Sequence, residues 1–206
     1  MLLSIPDKAT KMGRRDCVLL SLLYDSGARA QELCDMVVSD LRLDSPSAIR
    51  MTGKGSKTRV VPLMPPMTAL LHQYLREHGL EDPALGCCPL FTNHCGNKLG
   101  RKGVSYILDK YFQKAKTVRP ELYPEIFSPH AMRHSKAMHL LESGVNLIYI
   151  RDILGHVDLK TTEIYARIDT EMKRRALESA AKGVASEALP AWQTDKSLLA
   201  WLKSLG

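Results

Sequence analysis

Only one stretch of this chain reads as β-structure. From Ala48 to Pro62 two short β-prone runs flank the turn Gly53-Lys54-Gly55-Ser56, the pattern of an antiparallel hairpin with a basic tip. The rest carries helical punctuation. Val18, Leu19, Leu22 and Leu23 recur at helical spacing between Arg14 and Tyr24, and Gly27 follows where such a helix would stop. A second helix is expected from Ala28 to Val37, with Arg29 near its start and Glu32 one turn further on. A third pattern runs from Met67 to Glu77. Gly79 to Gly103 then reads as a long connection with a short apolar piece at Pro89 to Phe91, and helices resume near Val104. Ser128-Pro129 has the form of an N-cap followed by proline at the first helical position, predicting a helix to about Ser143 with Gly144 as its stop. Another is expected from Asn146 to Leu154, stopped by Gly155, and one more after Asp158 that carries Tyr165 about two turns in and stops at Gly183. The predicted class is therefore mainly α with a small antiparallel β-sheet, an α+β fold.

With 206 residues, 45% of them hydrophobic, the chain is long enough to bury a core as one domain with a small appendage. Lys and Arg outnumber Asp and Glu by 29 to 22, a formal charge of +7 that suits a polyanionic partner but is common among proteins without one. The longest apolar run, around Cys17 to Tyr24, is far too short to cross a bilayer, and Met1 to Lys11 lack the form of a signal peptide. A cytoplasmic location with no membrane contact is expected. Five cysteines, two of them adjacent at Cys87 and Cys88, do not form the even framework of a secreted disulfide scaffold. Cys87, Cys88, His94 and Cys95 lack a second regular ligand pair for zinc, so no metal and no other cofactor is expected.

Cutting DNA without a metal needs a side chain to attack phosphorus, donors for the non-bridging oxygens and an acid for the departing sugar oxygen. Tyr165 is a reasonable nucleophile, because a phenol with a pKa of about 10 ionises more readily than a serine hydroxyl. Arg29 and Arg133 suit the oxygens, since a guanidinium donates two parallel hydrogen bonds and keeps its charge. His130 and Arg133, three apart at a helix N-terminus, can face one phosphate together, with free backbone N–H groups beside them. Arg50, Lys54, Lys57 and Arg59 on the hairpin and Arg101-Lys102 at a helix start gather positive charge, the expected seat of a DNA backbone.

The segments SGARAQEL, TGKGSKTRVVPL, SPHAMRHSKAMHL, IRDILGH and TTEIYARI, in that order, resemble the tyrosine recombinase and integrase family over most of the chain. The resemblance implies the catalytic-domain fold of that family and a set of roles. Arg29 and Arg133 would be its two catalytic arginines, His130 and Arg133 its HxxR pair, and Lys54 its hairpin lysine and general acid. Lys57 is the rival for the acid role if the hairpin register differs. His156 would be the second histidine, nine residues before the nucleophile Tyr165, and Glu32 would orient a neighbour. Met132, where the family usually has leucine, departs from the pattern without removing a reacting group.

The implied activity is site-specific recombination on double-stranded DNA, of integrase or transposase type, with a bacterial or mobile-element origin and a chain that is a monomer in isolation and a homo-tetramer on DNA. Residues 1–183 would form the catalytic domain. Residues 184–206 would form a tail whose Leu198, Leu199, Trp201, Leu202 and Leu205 make an amphipathic helix, docked on a neighbouring protomer or folded back on its own domain. The family's separate N-terminal DNA-clamping domain is expected to be absent, since the catalytic pattern begins near Pro6, as in a piece of a longer recombinase or, failing that, a naturally short member. A type IB topoisomerase-like or telomere-resolving enzyme shares the chemistry, and a DNA-binding regulator could keep the fold without turnover.

Overall fold

The structure is a computed structural model, described here for residues 2–155. Its centre is helix α1, Lys11–Ser26, capped by the Thr10 side chain, which accepts from the Gly13 N–H, and closed by Gly27 in the left-handed region at φ +57°. Leu19, Leu20, Leu22 and Leu23, on either side of half-buried Ser21, are fully buried, so α1 is covered on most sides. Helices α3 (Pro65–Glu77) and α5 (Pro129–Glu142) pack against it.

The second helix, α2 (Ala30–Asp35), is shorter than the pattern predicts. The chain leaves it at Met36 because backbone pairing is available elsewhere. The Val38 N–H donates to the Cys88 carbonyl, the Ser39 N–H to that of Gly86, and the Leu90 N–H to that of Met36. The predicted connection from Gly79 to Gly103 is thus moored to the end of α2. Next comes a three-stranded antiparallel sheet, β1 (Leu41–Arg42), β2 (Ala48–Thr52) and β3 (Thr58–Pro62), in that spatial order. The hairpin of β2 and β3 is as expected; the two-residue β1 is too short for any alternation to reveal it. Pairing of Met51 with Arg59 and of Ile49 with Val61 places these four residues on the inner face of the hairpin.

Helix α4 (Arg101–Val118) starts a turn earlier than Val104, and its stripe Val104, Ile107, Leu108, Tyr111, Phe112 and Ala115 is buried. The Tyr111 hydroxyl donates to Asp16 at 2.8 Å, and Arg15 donates to Asp16 and to the Thr92 carbonyl, so a buried polar network ties α1 to α4 and to the long connection. Helix α5 opens as predicted, with Ser128 as N-cap and Pro129 at the first position. Helix α6 (Leu147–Leu154) ends at Gly155, again left-handed at φ +65°. No helix among the described residues is long and apolar enough to cross a membrane. The helix expected after Asp158, with His156 and Tyr165, and the tail 184–206 lie outside the described residues.

Candidate active site

The N-terminal ends of α2, α4 and α5 face one cleft of about 630 Å³. Arg29 and Gln31 line it from α2, Arg101, Lys102 and Ser105 from α4, and Ser128, His130 and Arg133 from α5. The two long helices, α4 and α5, turn the positive ends of their dipoles to it, and α4, whose start has no side-chain cap, adds backbone N–H groups, a setting that favours an anion. Exposed side chains of Arg101, Lys102 and His130 add charge and donors at the rim.

Arg29 is the N-cap residue of α2, held extended so that its side chain leaves the helix. Its Nη1 donates to Glu32 Oε1 at 2.8 Å and its backbone N–H to Glu32 Oε2 at 2.8 Å, while 44% of the side chain stays exposed. Glu32 itself is buried. Burial pushes its carboxyl pKa up, but hydrogen bonds and charge from Arg59, with further bonds from Arg29, outweigh burial and hold it at about 2. The carboxylate is therefore ionised at neutral pH.

Arg59 corrects the sequence-based expectation of a DNA-facing residue. Its side chain is 11% exposed, and its fork donates to both Glu32 oxygens, at 3.0 and 2.7 Å. Its Nε donates to the Ile153 carbonyl at 2.8 Å, at the end of α6. Strand register forces this inward turn, because Arg59 lies opposite buried Met51 and two residues before buried Val61. Alternation in the sequence does not give this away, because Val60 and Val61 are both apolar and either face of β3 could be the inner one.

Arg133 is buried on α5, with Nη1 donating to the Gly27 carbonyl and Nη2 to the Leu154 carbonyl. It thereby ties together the segment that leads into Arg29 and the one that leads into Gly155 and His156. Gly53 shows where the hairpin tip sits. A Cβ there would lie 2.9 Å from Glu32 Oε1 and 3.8 Å from Arg29 Nη1, so the strand end runs against the Arg29–Glu32 pair. The backbone of Lys54 follows directly, in the short turn Lys54–Ser56.

The structure thus brings Arg29, His130, Arg133, Arg101 and Lys102 to one cleft. Arg50 and Lys57 do not line it. Arg50 donates to Asp40 at 2.9 Å, and Lys57 is exposed beside the hairpin tip. Among the described residues no three His, Cys, Asp or Glu side chains gather as a metal site would require.

An α+β domain whose helix N-termini, arginines and histidine converge on one open cleft has the charge and the donors that suit a phosphate-like anion. The chain belongs to the phage integrase family, whose model its residues 1–172 match. It is 38% identical over 169 residues to tyrosine recombinase XerD of Listeria innocua, covering 81% of this chain and 54% of that protein. To tyrosine recombinase XerC of Myxococcus xanthus it is 36% identical over 185 residues, 87% of this chain and 59% of that protein. A crystal structure of XerH site-specific recombinase bound to palindromic difH substrate, in a post-cleavage complex, superposes with a TM-score of 0.69 at 26% identity. That match covers 87% of this chain and 49% of the other. The chain therefore spans between 49% and 59% of the length of these three proteins.

Proposed function

We propose that this chain is the catalytic part of a site-specific DNA recombinase that cuts and rejoins strands through a 3′-phosphotyrosine at Tyr165. The observation that carries the reading is the convergence of Arg29 with the His130–Arg133 pair, about a hundred residues further along the sequence, on one basic cleft. In this reading the Tyr165 oxygen attacks phosphorus and the bond to the 5′ oxygen breaks, while His130 takes the phenolic proton and Lys54 supplies one to the leaving oxygen. Arg29 and Arg133, with a hydrogen bond from His156, stabilise the charge on the non-bridging oxygens, a task worth several kcal/mol to the barrier. Attack by a 5′ hydroxyl on the tyrosyl ester reverses each transfer and restores the phosphodiester without an external energy source. Arg101 and Lys102 seat the DNA backbone beside the cleft, with Arg50 and Lys57 further out, contacts that position a duplex without reading its sequence.

The same reading makes residues 1–183 the catalytic domain, and residues 184–206 a tail that couples protomers of a cytoplasmic recombinase into a tetramer on double-stranded DNA. Its chemistry is tested with nicked suicide duplexes tiled from the DNA flanking the gene. A covalent adduct is expected to form in EDTA and to be lost in Tyr165→Phe. Cleavage that requires magnesium and leaves no adduct would overturn the mechanism.

A further inference from the structure

Three charged groups stand in a row that begins at the cleft with Arg29 and runs inward from it. Arg29 is at the open end, the Glu32 carboxylate is buried in the middle, and Arg59 is at the inner end. The row carries one net positive charge. Arg59 engages both carboxylate oxygens, whereas the Arg29 side chain reaches only Oε1. Were Arg59 removed, the buried carboxylate would keep Arg29 as its one cationic partner among the described residues. That pair would be neutral, and Arg29 would be drawn inward, because an ion buried beside a single counter-charge holds it strongly.

We propose that Arg59 is a positioning residue that occupies the Glu32 carboxylate and so leaves the charge and reach of Arg29 available to a phosphate in the cleft. The inference rests on the recombinase reading above. The surroundings of Arg59 suit this task. The bond from its Nε to the Ile153 carbonyl fixes the guanidinium from behind, and the absence of a side chain at Gly155 leaves room for it, since a Cβ there would lie 2.9 Å from Arg59 Nη1. At 11% exposure the group has little surface to offer DNA directly.

The test measures single-turnover cleavage of the nicked duplex at saturating DNA, together with DNA affinity, in the whole chain and its variants. Arg59→Met is expected to slow cleavage by roughly 10²- to 10³-fold, the usual loss when one charge-stabilising donor is removed, with Kd changed by less than about threefold. Adding Glu32→Gln to Arg59→Met is expected to bring the rate back to within about tenfold of Glu32→Gln alone, because no anion remains to capture Arg29. A general loss of packing would not be repaired by a second substitution beside it. Arg59→Lys, which keeps the charge but not the fork, should fall between Arg59→Met and the wild type; where Arg59→Met does not fold, Arg59→Lys with and without Glu32→Gln carries the same comparison.

Wild-type cleavage in the Arg59 variants, or a double variant as slow as the single, would overturn the proposal. So would a loss confined to Kd with a salt slope reduced by about one, the signature of a direct phosphate contact. Absence of an adduct in the wild type would remove the recombinase reading and this inference with it, whereas a normal wild-type adduct beside unaffected variants removes this inference alone.

Discussion

At Glu32, burial and pairing pull in opposite directions, and pairing wins. The carboxyl sits at about 2 in the folded chain against an ordinary value of 4.5. A depressed folded value means that the ionised group stabilises the fold fully above pH 4.5 and that this contribution is lost as pH falls through 2. The gap in unfolding free energy between wild type and Glu32→Gln, followed by urea denaturation, should narrow by roughly 2–4 kcal/mol between neutral pH and pH 2. A gap independent of pH would show that the pairing contributes nothing to stability. Arg29, His130 and Arg133 were legible as candidates because residue type and spacing match what a phosphate requires. Arg59 was not, since a basic residue near a basic hairpin tip reads as surface until its register with Met51 and its partner Glu32 are known.

Among the elements, the signals that held were those whose physics is local. Ser128 caps α5 through its hydroxyl, which accepts from the Ala131 N–H at 3.2 Å, and Gly27 and Gly155 close α1 and α6 in a conformation that other residues adopt at a cost. The signals that failed were non-local. Helix α2 stops early because Met36 and Val38 bond to a segment some fifty residues on, and β1 exists only through its pairing with β2. The two closing devices of the site also differ in consequence. Ser128→Ala should cost about 1 kcal/mol in chemical denaturation. Gly155→Ala should cost more, about 1–2 kcal/mol for the left-handed backbone alone, and should slow cleavage too, because its Cβ meets the Arg59 guanidinium. Equal stability losses in the two variants would contradict this assignment.

For the molecule as a whole, the site is a product of packing rather than of any one segment. Residues from α2, β3, α5 and the end of α6 meet through Glu32, Arg59 and Arg133, and the net charge of +7 says nothing about where that meeting occurs. The order of the motifs was readable in the chain; the inward turn of Arg59 and the joining of Gly27 to Leu154 through Arg133 needed three dimensions. The central claim is that Tyr165 carries the phosphate. Its most direct test is to trap the adduct on a suicide duplex, digest with trypsin and nuclease, and locate the attached nucleotide by mass spectrometry. The account predicts a 3′-linked nucleotide on the peptide Thr161–Arg167, at Tyr165. A nucleotide on another residue, such as the exposed Tyr149 of α6, or a 5′ linkage, would contradict it.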